Sequence, residues 1–137
     1  IMVCVDFSKS CESALEFAVK IAQKESAKVF VFHMLIPSPY TETQQVVSTR
    51  RRELEESYGP VLASEEHEYS VCVGASPHLE ILQYARDNDV DLIAMGSHTK
   101  DKADRWYVGS AVEHVSARSI CPVVVVTKPS ALSKVEG

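Results

Sequence analysis

An open, doubly wound α/β fold is what this sequence predicts: a five-stranded parallel sheet in the order 3-2-1-4-5 with helices on both faces. Three observations predict it. Strand-like and helix-like stretches alternate along the whole chain. The runs at 1–5, 28–35 and 123–127 are almost continuously apolar, as in strands covered on both sides. The run at 65–73 instead alternates, with Tyr69, Val71 and Val73 on one side and Glu68, Ser70 and Cys72 on the other, which suits an edge. Right-handed crossovers then fix the strand order.

Each element has its own local reason. Strand 1 (1–5) ends at Asp6, and Ser8 is the N-cap of helix 1, with Glu12 in its first turns. Ala14, Leu15, Ala18, Val19, Ile21 and Ala22 form that helix's apolar side. Strand 2 (28–35) is followed by Pro37 and Pro39, which break regular structure. A mostly polar helix is expected from about Thr41 to Ser57, stopped by Gly59-Pro60. Strand 3 (65–73) turns at Gly74. Ser76-Pro77 then reads as a cap followed by a first-turn proline, with Leu79, Ile81, Leu82 and Ala85 facing inward. Strand 4 is 91–95, helix 4 runs from Gly109 to Arg118, and strand 5 is 123–127. The whole reads as one domain over 1–137, with 129–137 a frayed tail.

The totals narrow the function. A net charge of -5 argues against nucleic acid as a partner. No run reaches the roughly 18 apolar residues of a membrane span. Asp6 and Lys9 interrupt the first apolar run, so no signal peptide is expected. The chain opens on a strand without Met, which fits either a few absent leading residues or one unit of a longer protein. Cys4, Cys11, Cys72 and Cys121 have no C-x-x-C spacing and read as free thiols of a reducing cytoplasm. The five histidines are dispersed, and no zinc motif is present.

In a sheet of this order, ligands bind at the carboxyl ends of strands 1 and 4, here Asp6 and Gly96. A loop from Gly96 reaches Gly109-Ser110 at the start of helix 4, where free amides and the helix dipole favour an anion. Neither a G-x-G-x-x-G after strand 1 nor a P-loop is present. A phospho-acceptor receiver would want an acidic pair after strand 1, and Asp6 stands there singly.

On these residues the chain resembles the universal stress protein family along its whole length. Val5-Asp6-x-Ser8, Phe32-His33-Met34, Met95-Gly96-Ser97-His98, Gly109-Ser110-Ala111 and Cys121-Pro122-Val123 carry the resemblance. The family's G-x2-G-x9-G-[ST] motif is matched by Gly96, the nine residues 100–108, Gly109 and Ser110. Thr99 stands where that motif has its second glycine. At a positive φ it would cost about 1–2 kcal/mol, roughly tenfold in affinity; its hydroxyl is also a donor to phosphate.

The resemblance implies an adenine-nucleotide ligand, ATP with or without magnesium. It places Asp6 and Met34 at the adenosine, and Gly96, Thr99, Gly109 and Ser110 at ribose and phosphates, with Met95 and Ala111 flanking them. It implies a cytoplasmic stress-response switch or sensor rather than an enzyme, and a homodimer paired through Val123, Val124, Val125 and Val126. An exposed apolar edge strand there is a hazard unless paired. The alternative is a nucleotide-independent dimeric interaction module of the same family. A related adenine-nucleotide hydrolase would need substrate-activating residues that the sequence does not display.

Overall fold

The apolar run at the start of the chain becomes β1 (Met2–Cys4), with every residue buried. The computed structural model describes residues 1–36, 43–63, 65–97 and 108–127. The other strands are β2 (Val29–Leu35), β3 (His67–Val73), β4 (Ile93–Gly96) and β5 (Val123–Val126). They form one five-stranded sheet in the order β3-β2-β1-β4-β5, and every neighbouring pair is parallel. β1 lies between β2 and β4, with Cys4 opposite both Phe32 and Met95. The alternating β3 and the valine run of β5 are the two edges.

α1 (Lys9–Glu25) begins where the Ser8 hydroxyl accepts the Cys11 amide at 3.3 Å, a standard satisfaction of an orphan helix donor. Its small residues Ala14, Ala18 and Ala22 are buried, with Leu15 and Val19 beside them, so the helix lies close to the sheet. α2 (Thr43–Leu62) packs on α1; α3 (Pro77–Asp87) and α4 (Val112–Arg118) pack on each other. Right-handed crossovers put the two pairs on opposite faces.

Four local expectations differ from what is observed. α2 does not stop at Gly59-Pro60 but runs through it to Leu62. Pro60 removes one helical hydrogen bond, but Leu54, Tyr58 and Leu62 recur every four residues and are buried, so continuing the helix completes an apolar stripe. Leu79, expected inward, is 52% exposed, while Ile81 and Ala85 face the core. Ser76 starts α3 without a side-chain cap bond, leaving Pro77 as the local start signal. The segment expected as the start of helix 4 is a 3-10 turn, Val108–Ala111, before α4 proper. Thr41 and the 129–137 tail lie outside the described residues.

Candidate functional site

β1 and β4 are neighbours, and the chain leaves their carboxyl ends toward opposite faces, which opens a crevice at that edge of the sheet. Asp6 stands at its base, 1% exposed. One carboxylate oxygen accepts the Ser8 amide at 2.9 Å, and the other accepts the Val108 amide at 2.7 Å. A buried carboxylate is tolerated only when it is bonded in this way. Val108 opens the 3-10 turn that carries Gly109, Ser110 and Ala111, so Asp6 ties the end of β1 to the segment after β4.

Gly96 ends β4 under the first turn of α1. A Cβ there would lie 2.6 Å from the Ser10 hydroxyl and 2.8 Å from the Cys11 amide nitrogen. Glycine is therefore required for helix-on-strand packing, whatever else approaches it. Ser10 is itself buried and lies 3.3 Å, oxygen to oxygen, from the Ser8 hydroxyl.

On the β2 side the crevice is closed by a cluster that sequence reasoning missed. Phe7 has a left-handed backbone, φ 68°, an outlier for a bulky residue. Its amide donates to the Tyr58 hydroxyl at 3.0 Å, and its ring stacks on Tyr58 and meets His33 edge-on. His33 is buried, with Nδ1 2.7 Å from the Val5 carbonyl and Nε2 3.1 Å from an Arg50 nitrogen. A carbonyl can only accept and a guanidinium can only donate, so Nδ1 carries the proton and Nε2 accepts. The Arg50 guanidinium also lies 6.0 Å from the Phe7 ring centroid. Arg50 is thus not part of a wholly solvated basic run, although Arg51 and Arg52 are exposed. The signal was available: Arg50 continues the four-residue spacing of Leu54, Tyr58 and Leu62. No local signal announces the Phe7 conformation.

Met34 and Met95 are buried at the carboxyl ends of their strands, and Ala111 is buried in the 3-10 turn. Gly109 is half-buried and Ser110 exposed. Thr99, His98 and the rest of 98–107 lie outside the described residues. Burial pushes the Cys4 and Cys11 thiols far above their ordinary range, and the Asp6 carboxylate pushes both in the same direction. Burial also raises the Tyr58 phenol. Among the described residues no group of three or more His, Cys, Asp or Glu could hold a metal, and no helix is long and apolar enough to cross a membrane.

A groove of about 330 Å³ lies along α2, lined by Gln45, Val46, Thr49, Arg50 and Glu53. A second cavity, about 460 Å³, opens at the amino ends of the strands beside Ser26 and Asp91. Only the first neighbours the end of the sheet where such folds take ligands.

The family model for the universal stress protein family matches residues 1–127. A universal stress protein of Methanocaldococcus jannaschii is 27% identical over 145 aligned positions, covering 94% of this chain and 82% of its own. The Archaeoglobus fulgidus universal stress protein solved in complex with dAMP superposes with TM-score 0.70 at 24% identity, covering 91% of this chain and 94% of that one. A universal stress protein solved in complex with cAMP gives TM-score 0.70 at 22% identity, covering 93% and 96%. At those identities the likeness to the two solved structures is one of fold.

Proposed function

This chain belongs to the universal stress protein family, and on that premise we propose that it binds an adenine nucleotide, ATP first, at the carboxyl ends of β1 and β4 and works as a stress-response switch. One observation carries the reading most: Asp6 holds the end of β1 against Val108, next to Gly109 and Ser110. That contact brings the end of β1 and the Gly109-Ser110 part of the sequence motif to one crevice. Two solved relatives of the same fold bind dAMP and cAMP, which supports an adenine ligand.

In this reading, the exposed Ser110 hydroxyl and the backbone around Gly109 meet phosphate oxygens. Thr99 would face the same phosphates, and Gly96 would let the loop start close to them. Met34, Met95 and Ala111 back the pocket as apolar walls. Asp6, with both oxygens holding amides, fixes the base of the crevice beneath the adenosine. A magnesium ion would arrive on the phosphates and keep most of its waters, since it needs few protein oxygens. The buried polar side chains described at this end are bonded within the protein.

A second reading, a nucleotide-independent interaction module, rests on those same bonds. The two amides held by Asp6 and the packing at Gly96 account for both residues without any ligand. Mass and absorbance analysis of nucleotide released from fresh protein, followed by ATP titration calorimetry with magnesium, separates the two. Saturable binding near one per chain is expected. No released nucleotide and no heat would overturn the nucleotide reading and leave the module.

A further inference from the structure

Away from the crevice, α3 and α4 bring two imidazoles together. The rings of His78 and His114 are nearly parallel, with 4.6 Å between centroids and 25° between planes. His78 is half-buried in the first turn of α3, and His114 is exposed on α4. Among the described residues neither ring makes a hydrogen bond or ion pair, unlike His33 and His67, which are both held by backbone carbonyls. Four ring nitrogens therefore lie together at this helix pair with no hydrogen-bond or ion-pair partner among the described residues.

We propose that His78 and His114 form a two-histidine site for a divalent transition-metal ion of the zinc, nickel or copper class, clasping α3 to α4. Neutral imidazole is the commonest protein ligand for these ions. With metal–nitrogen bonds of about 2.0–2.1 Å, a tetrahedral ion needs its two nitrogens about 3.3 Å apart. With the ring centroids 4.6 Å apart, a turn of either ring about its terminal torsion, which is broad for histidine, changes the nitrogen spacing without moving the backbone. Waters complete the coordination on the open side. Ser110 lies four positions before His114, in the 3-10 turn that leads into α4. An ion here stiffens the segment that begins with Gly109 and Ser110. The site stands independently of the nucleotide reading.

The test is zinc chloride titrated into the full chain by calorimetry, without nucleotide or chelator, with thermal unfolding in parallel. Cys72 and Cys121 are half-buried thiols that compete for zinc, so a C72S/C121S background is titrated as well. One ion per chain and a raised Tm are expected in both backgrounds. H78A and H114A should each lose about tenfold or more in affinity, at least what loss of an outer-shell partner costs, while H67A changes nothing. Far-UV circular dichroism checks that each variant is folded, and H78Q replaces H78A if the latter is not. Absence of saturable zinc binding, binding that survives both histidine variants, or binding lost only with the cysteines would overturn the proposal.

Discussion

Asp6 holds two backbone amides, one of them from a residue 102 positions along the chain. Asp6→Asn keeps one acceptor and turns an NH2 group toward the other amide. Charged hydrogen bonds and orphaned buried donors predict a loss of about 2–3 kcal/mol, a fall in Tm of about 10 °C. Urea unfolding checks it, and a loss below about 0.5 kcal/mol would mean that water replaces the carboxylate. Gly96→Ala brings a methyl within 2.8 Å of the α1 backbone, which cannot yield like a side-chain tip. Overpacking of this kind predicts about 1–3 kcal/mol of destabilisation, seen as a lower Tm in protein without ligand; an unchanged Tm would show that α1 moves freely. Both residues were legible as site candidates from motif spacing. Their structural duties were not, because each depends on a partner distant in sequence, Val108 for Asp6 and Ser10 for Gly96.

Three helices are followed by left-handed residues that are not glycine: Ser26 after α1, Ala63 after α2 and Asp89 after α3. For an alanine that conformation costs about 1–2 kcal/mol, and glycine relieves it. Ala63→Gly should therefore raise stability by about 1 kcal/mol, read as a higher urea midpoint with unchanged slope; a lower midpoint would refute it. Helix starts were easier to read than helix ends. Ser8 and Pro77 announce themselves by residue type, and both begin helices. The end of α2 is not legible locally, because Gly59-Pro60 is a local stop signal, whereas the burial of Tyr58 and Leu62 against the core is tertiary. Leu79 shows the same limit, since helical spacing alone does not decide which turn of α3 leaves the sheet.

At the scale of the molecule, strand order was legible because alternating elements, continuous apolar strands and one half-polar strand leave few topologies. The raised thiols of Cys4 and Cys11 and the raised Tyr58 phenol give the whole fold an alkaline limit. The unfolded chain releases these protons from about pH 9.0 for thiols, the ordinary value, while the folded chain keeps them. The folded state then binds more protons, so stability is full below that pH and falls as pH rises, by about 1.4 kcal/mol per pH unit for each group. Urea midpoints on either side of pH 9.0 should show the decline, and Cys11→Ala should flatten it; a pH-independent midpoint would contradict it. β5 ends the sheet with Val125 38% exposed and Ile120 74% exposed nearby, an apolar edge that a second copy would cover. In the homodimer that the family resemblance implies through Val123–Val126, Val125→Lys should yield monomers by light scattering. An unchanged oligomer would place any interface elsewhere.

The carboxylate that joins β1 to Val108 also sets a schedule for the growing polypeptide. Translation proceeds at about 5–20 residues per second, so after Asp6 is made its second partner is about 5–20 seconds away. β1 must wait similarly for β4, its neighbour on one side. A nascent chain arrested before Val108 therefore holds a carboxylate that its own residues cannot fully satisfy, and a truncated product of that length is a natural client for chaperones and proteases.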